Sequence, residues 1–143
     1  MKSLQISLRP GERIYVNGAV LCADRKVTLE FLNEVTFLLE CHVLLPEQTT
    51  TPLRQLYFVV QTMLIDPPAA GRAREVFDRS YADLMLALDN PALRDGLIRA
   101  RKSIESSHVY EALKTIRALF PMEDQILASK ATAISPDPQR EVA

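Results

Sequence analysis

A single dipeptide, Asn17-Gly18, constrains how the first third of this chain can fold. It separates two short apolar segments, residues 14–16 and 19–21. Asn-Gly between apolar segments is a strong signal for a two-residue β-hairpin, because a type I′ turn needs a positive φ at both central residues. A chain that opens in this way is not all-helical, and we predict a hairpin over residues 14–21.

Alternating apolar and polar residues predict strands on both sides of this hairpin. Residues 4–8 and 27–31 alternate with the period of a half-buried strand. Residues 35–45 are rich in apolar and β-branched side chains and predict one or two more strands. Short strands at this spacing indicate a small antiparallel β module over residues 1–45, which folds as a sheet, a barrel or a sandwich.

After Pro46 the apolar residues follow the period of a helix. Thr51-Pro52 places an N-cap residue before a proline at the first helical position, where the missing N–H is no loss. Apolar residues then recur with the spacing of an amphipathic helix over residues 53–65. Asp66 ends this helix, because the proline that follows it disfavours the α conformation.

Four further helices are predicted beyond this point. Their spans are 70–88, 91–106, 108–120 and 121–128, with Asn90 and Ser107 as the N-caps of the second and third. We therefore predict an α+β fold, in which the β module packs on a bundle of four to five helices over residues 46–129 and shares its core. Residues 130–143 carry too little apolar surface to offset chain entropy, and we predict a disordered tail.

The charge balance limits what the chain can attract. Its 143 residues include 17 basic and 18 acidic side chains, a formal net charge of −1. Such a balance gives no domain-wide attraction to a polyanion, so any nucleic-acid contact needs a local patch of cations. The sequence contains no apolar segment of 18 uncharged residues and no signal-peptide pattern, and we expect a cytoplasmic protein without membrane contact.

The residues that usually carry catalysis or metals are sparse. Four glycines show no phosphate-binding spacing, and no nucleophile-elbow motif is present. Cys22 and Cys41 are too few for a zinc site, and we expect both to be buried, reduced thiols on strands. His42 and His108 lie in no catalytic motif. We predict a binding protein that is not an enzyme and needs no cofactor or metal.

The sequence contains two groups of basic residues, and we predict binding for only one of them. Arg9, Arg13, Arg25 and Lys26 flank the turns of the β module, where loop cations can hold phosphates while an aromatic side chain stacks on a base. Tyr15 is the aromatic candidate for that stacking. Basic residues predicted on the second and third helices form no single stripe, and we interpret them as a solvated surface. They are Arg72, Arg74, Arg79, Arg94, Arg99, Arg101 and Lys102.

The pair Tyr57-Phe58 gives the first helix a second apolar flank. Phe58 lies off the main apolar stripe, beside Thr62 and Ile65. Burial on two sides follows, either within the chain or at an interface with a partner. Packing within the chain is the default, and a homodimer is the alternative.

Several motifs follow one another in order between residues 4 and 67. They are Leu8-Arg9-Pro10-Gly11-Glu12-Arg13, Val16-Asn17-Gly18-Ala19-Val20, Leu29-Glu30-Phe31-Leu32-Asn33, Thr50-Thr51-Pro52, Leu56-Tyr57-Phe58 and Asp66-Pro67. Together they resemble the motifs of the FlbT family of flagellin-synthesis regulators. The resemblance implies a cytoplasmic post-transcriptional regulator of flagellum biogenesis. Such a protein would associate with the 5′ untranslated leader of flagellin mRNA and promote degradation of the message, or in some members act positively.

The resemblance also implies a small partner protein of the same flagellin pathway, and it assigns no residue to RNA contact. A function of a different class is compatible with the near-neutral charge. In this alternative the chain is an adaptor that binds flagellin, a flagellin chaperone or another flagellar regulator through its helices, without direct RNA contact.

Overall fold

The computed structural model describes residues 4–33 and 35–134, which form five strands and five α-helices. The strands are β1 Leu4–Leu8, β2 Arg13–Val16, β3 Ala19–Cys22, β4 Val27–Phe31 and β5 Phe37–Leu39. The helices are α1 Pro52–Ile65, α2 Ala70–Ala87, α3 Pro91–Glu105, α4 Val109–Ala118 and α5 Phe120–Ile134. The predicted α+β fold is confirmed.

The predicted hairpin joins β2 to β3. Asn17 and Gly18 have φ values of 49° and 87°, the left-handed conformation that a type I′ turn needs. The tip lies against the segment between α1 and α2, since a Cβ on Gly18 would stand 3.2 Å from the Cδ of Pro67. Gly18 therefore meets two demands at once, positive φ and close approach.

The strands form two antiparallel sheets, one of β1 and β4 and one in the order β3-β2-β5. The two sheets share a small apolar core. Of the sheet, barrel and sandwich that were predicted, this arrangement is most similar to the sandwich. The buried residues of the small core are Ile6, Leu8, Ile14, Ala23 and Phe37.

Strand β5 connects this small core to a larger one among the helices. Phe37 is buried in the small core, and Leu38, which points to the opposite face, is buried in the large one. The ring of Phe37 also stacks on Tyr110 of α4, with 5.0 Å between ring centroids. The β module and the helices are thus packed together along β5.

Only one strand forms between residues 35 and 45 in the described part of that segment. Residues 40–42 make a short 3-10 turn instead of a second strand. At this turn the Glu40 carboxylate accepts the backbone N–H of Arg13 at 2.9 Å, which replaces the ladder hydrogen bond that a longer β5 would supply at the start of β2.

The boundaries of the first three helices agree with the sequence. Thr51 and Asn90 cap α1 and α3 as predicted, accepting the N–H of Arg54 and Leu93 through their side chains. The predicted cap of α4 is wrong. Ser107 has a φ of 65° and precedes the helix by two residues, so its hydroxyl does not serve as the cap.

Helix α5 is longer than predicted. It begins at Phe120 and continues to Ile134, so residues 130–134 of the predicted disordered tail are helical. The rest of that predicted tail, residues 135–143, lies outside the described residues.

A buried carboxylate positions α5. Glu123 accepts hydrogen bonds from the Thr51 hydroxyl at 2.6 Å and the Leu53 N–H at 2.9 Å, at the N-terminus of α1. Arg54 adds a bidentate pair to Asp124 at 2.9 and 3.1 Å, and this hydrogen bonding lowers the pKa of Asp124. A carboxylate at a helix N-terminus satisfies free N–H groups and complements the helix dipole.

The side chain of Gln61 holds the β module on the helices. Its Oε1 accepts the Leu44 N–H at 2.7 Å, and its Nε2 donates to the Leu44 carbonyl at 2.9 Å. Gln61 is 2% exposed, so both bonds are made where water is excluded. Beside it the Tyr57 hydroxyl donates to the carbonyl of His42 at 2.6 Å. The segment after β5 is thereby fixed to α1.

Replacing Gln61→Leu should lower the free energy of unfolding by about 2–4 kcal/mol, because both backbone groups of Leu44 lose their partner in a dry site. Chemical denaturation monitored by circular dichroism measures this loss. Gln55→Leu, an exposed position on the same helix, is the matched control and should cost less than about 0.5 kcal/mol. Equal effects of the two substitutions would contradict this role for Gln61.

The pH dependence of stability should report on His42. Its Nδ1 is buried and has no hydrogen-bond partner among the described residues, and burial together with the nearby Arg117 lowers the pKa of the ring. A lowered pKa means that the unfolded chain binds the proton more readily, so stability falls as the pH drops below 6.5.

His42→Gln should flatten this decline between pH 6.5 and about pH 5, above the range in which carboxylates titrate. Denaturation at a series of pH values measures it. A wild-type stability that is flat over this range would show that His42 does not contribute.

Candidate functional site

The four cations predicted for RNA contact lie at one end of the β module. Leu8, at the end of β1, pairs with Val27, at the start of β4. Arg9 directly follows Leu8 and Lys26 directly precedes Val27, so both cations lie at the same end of this strand pair. Arg13 begins β2 opposite Cys22, the last residue of β3. We call Arg9, Arg13, Arg25 and Lys26 the cationic end.

Backbone hydrogen bonds hold the two turns of the cationic end together. The Gly11 N–H donates to the Ala23 carbonyl at 2.7 Å, and the Ala23 N–H donates to the Glu12 carbonyl at 2.9 Å. Gly11 has a φ of 84°, which favours glycine at this turn. The cations are therefore carried on paired backbone rather than on isolated loops.

Carboxylates neutralise part of this positive charge. Arg9 pairs with Glu12 at 3.5 Å and Arg25 with Asp24 at 3.3 Å. Both pairs are on the surface, where an ion pair contributes about 0–1 kcal/mol and opens at little cost. Four cations against Glu12, Asp24 and Glu40 leave one net positive charge at this end.

Arg13 and Lys26 are the less neutralised cations of the four. Neither makes an ion pair with another described residue. The Glu40 carboxylate accepts a hydrogen bond from the backbone N–H of Arg13, not from the Arg13 guanidinium. Both side chains are exposed and can meet a phosphate without first breaking an ion pair.

Tyr15, the aromatic residue predicted to stack on a base, is not exposed at the cationic end. Tyr15 is half-buried and packs against the large core, because its side chain points to the helices rather than to solvent. Contacts at the cationic end therefore depend on charge and hydrogen bonding.

The basic residues of α3 are partly used within the protein. The Arg94 guanidinium donates to the carbonyls of Met85 and Leu88, which completes the C-terminus of α2. Arg101 pairs with Glu105 at 3.1 Å. Arg99 and Lys102 remain exposed, and they form no continuous basic stripe with the other two. The exposed residues Arg99, Arg101 and Lys102 agree with the interpretation as a solvated surface, whereas Arg94 contradicts it because its guanidinium is bound to backbone carbonyls.

The two residues predicted for a partner or dimer interface have different environments. Tyr57 is 1% exposed, and its hydroxyl also accepts from Arg117 at 3.1 Å, so Tyr57 packs within the chain, as the default prediction has it, and is not available to a partner as the alternative requires. Burial raises the pKa of Tyr57, which keeps the hydroxyl a donor. Tyr57 continues the buried apolar stripe of α1, which agrees with this packing.

Phe58 is half-buried and lines a surface groove. A cavity of about 310 Å³ lies beside it, lined by Thr49, Gln55, Phe58, Val59 and Thr62. A second cavity of about 220 Å³ shares Val59 and Thr62 and continues between α1 and α2 to Arg72 and Val76. We call this surface the α1–α2 groove.

Sequence reasoning missed the carboxylates that offset the cationic end. Glu12 and Asp24 lie within three residues of the arginines they pair with, and this spacing is a usable signal. Glu40 is 27 residues from Arg13, and only the pairing of β2 with β5 brings them together.

The described residues contain no group of three or more His, Cys, Asp or Glu that could hold a metal ion. Cys22 and Cys41 are exposed, and the prediction of buried thiols is wrong, because β3 is an edge strand and Cys41 lies in the 3-10 turn after β5. None of the described helices is long and apolar enough to cross a membrane.

Comparison with known proteins gives matches over most of the chain. A family model described as "Flagellar protein FlbT" matches residues 4–127. A probable flagellum biosynthesis repressor protein FlbT from Mesorhizobium japonicum is 50% identical over 125 residues, 87% of this chain and 85% of that protein. Its counterpart from Agrobacterium fabrum is 49% identical over 131 residues, 91% and 88% of the two chains.

A further relative with the same name, from Rhizobium etli strain CIAT 652, is 51% identical over 128 residues, 89% of this chain and 86% of that protein. No solved structure matches the chain. The family model and the relatives span both the β module and the helices. The chain therefore belongs to the FlbT family of flagellar proteins, a family of regulators of flagellum biosynthesis rather than of enzymes.

Proposed function

We propose that this protein regulates flagellin synthesis after transcription, by binding the 5′ untranslated leader of flagellin mRNA and promoting degradation of the message in the cytoplasm. Binding, not bond-making, is its contribution. A small partner protein of the flagellin pathway completes the response. The cationic end is the RNA contact.

The gathering of Arg9, Arg13, Arg25 and Lys26 at one end carries this proposal. Phosphate contacts position a protein on RNA, and exposed guanidinium and ammonium groups are the side chains that make them. Arg13 and Lys26 supply such groups without an ion pair in the described structure. Arg9 and Arg25 join them when a phosphate displaces the weak carboxylate partner.

The overall charge supports selective rather than general binding. With a formal net charge of −1, the chain is not drawn to every polyanion in the cell. A small cationic area makes few phosphate contacts, so discrimination comes from an RNA shape that matches the rigid pair of turns. The bound leader would then be withheld from ribosomes and exposed to decay.

The salt dependence of leader binding tests this assignment. Each phosphate contact on single-stranded RNA contributes about 0.7 to the slope of log K against log salt concentration. The double variant Arg13→Ala with Lys26→Ala should therefore flatten the slope by about 1.4 and weaken binding. Fluorescence anisotropy of a labelled leader over a salt series measures both quantities.

The exposed pair Arg99 and Lys102 on α3 provides the matched control, since removing it takes away the same charge elsewhere. That control should leave the slope within error of the wild type. A slope that responds to α3 and not to the β module would move the RNA site to the helices.

The α1–α2 groove favours a second candidate function. Phe58 and Val76 are half-buried apolar residues that pack against neither of the two described cores, and they border neighbouring cavities. Such a groove between two helices fits an amphipathic helix of another protein. In this function the chain is an adaptor that binds flagellin, its chaperone or another flagellar regulator.

Phe58→Gln separates the two functions. For the adaptor, the variant should lose flagellar proteins in a pulldown that has been treated with nuclease, while its leader binding is unchanged. For RNA recognition through the cationic end, nuclease removes the associated proteins from wild type and variant alike.

A further inference from the structure

Strand β3 is an open edge of the three-stranded sheet. It pairs with β2 on one side and has no strand on the other within the described structure. It is also the one described strand in which every residue is exposed. Val20 is 56% exposed and Leu21 is 48% exposed, although both are apolar. Neither the small core nor the helices cover this strand.

The direction of the backbone groups on β3 follows from Ala23. This residue donates its N–H to Glu12 and accepts the Gly11 N–H, so both of its polar groups point toward the β2 side. Backbone groups along an antiparallel strand alternate with a period of two. Leu21 and Ala19 therefore bond to β2, whereas Val20 and Cys22 direct their N–H and C=O groups to the open edge.

Among residues 4–33 and 35–134, nothing on this edge prevents another strand from pairing with it. Natural edge strands are protected by charges, prolines or bulges, which keep other chains away. Residues 19–22 are Ala-Val-Leu-Cys, without charge or proline. Each residue of β3 also pairs with one residue of β2, so the strand contains no bulge.

Both ends of β3 are held in place. At its start the hairpin tip rests on Pro67, and at its end Ala23 is bonded to the turn of Gly11 and Glu12. A fixed strand costs little additional entropy when it pairs, because its backbone is already ordered.

We propose that β3 pairs antiparallel with β3 of a second copy of this chain. A two-fold axis through Leu21 places Val20 opposite Cys22 of the other copy, so all the outward N–H and C=O groups of these two residues become bonded. Leu21 then faces Leu21 of the second copy in a closely spaced pair without hydrogen bonds. The pairing is self-complementary, as an isologous interface requires.

An identical strand suits this edge better than the C-terminal sequence of the same chain. An uncharged strand meets no charge repulsion from its own copy, and apolar side chains meet apolar side chains. Residues 135–143 contain two prolines and the charged residues Asp137, Arg140 and Glu141. Prolines lack the N–H that a ladder needs, and these charges would lie on an apolar row.

Charge exchange at Leu21 tests the proposal. Sedimentation equilibrium of the full chain should show a concentration-dependent dimer. Leu21→Lys and Leu21→Glu should each raise the dissociation constant at least about tenfold, because like charges meet on the axis and an apolar contact is lost. An equimolar mixture of the two variants should recover the dimer, which also shows that both are folded.

Cross-linking gives an independent test. In a chain carrying Cys22→Ser and Cys41→Ser, Leu21→Cys should form an intermolecular disulfide with oxidised glutathione, because Cα atoms in such a pair lie about 4.5 Å apart. Val20→Cys in the same background should not, since it does not face itself.

Two results would contradict the proposed β3–β3 dimer. A wild-type chain that stays monomeric over the whole concentration range would overturn the proposal. So would a dimer that Phe58→Gln abolishes and the Leu21 variants leave intact, because the α1–α2 groove would then be the interface. The test is independent of RNA binding, since neither Leu21 nor Val20 belongs to the cationic end.

Discussion

The two hydrogen bonds between the Gln61 amide and the backbone of Leu44 are the contact on which the arrangement of this protein depends. The Gln61 amide bonds to the Leu44 backbone as a neighbouring β-strand would, because it offers a donor and an acceptor as a peptide group does. With this segment fixed, β5 directs Phe37 into the small core and Leu38 into the large one. The orientation of the whole β module on the helices follows from that division.

A fixed β module matters because the charges of this protein are nearly balanced. Long-range attraction to a polyanion is weak at a formal net charge of −1, so the proposed RNA recognition would depend on the positions of a few cations relative to one another. The ladder between β1 and β4 and the bonds of Ala23 set those positions. In the proposed function, the fixed positions of these turns would supply the selectivity for one RNA shape.

Local sequence signals predicted most of this fold. Asn17-Gly18 and Thr51-Pro52 act through φ preference and capping within a few residues, and both are found as expected. The errors arose where distant segments meet. The Glu123 carboxylate lies 70 residues from the Leu53 N–H that it accepts, and the exposure of Cys22 depends on the order of strands in the sheet. At the candidate site, the four cations were proposed from turn composition and the burial of Tyr57 follows from its place on the apolar stripe of α1, but the contact of Glu40 with Arg13 depends on tertiary packing.

The most direct test of the account is hydrogen–deuterium exchange of the protein with and without the flagellin leader RNA. If the RNA lies on the cationic end, backbone amides of residues 9–13 and 23–27 should exchange more slowly in the complex, while those of α3 and the α1–α2 groove keep their rates. Protection confined to the helices, with no change in the two turns, would contradict the assignment of RNA contact to the β module.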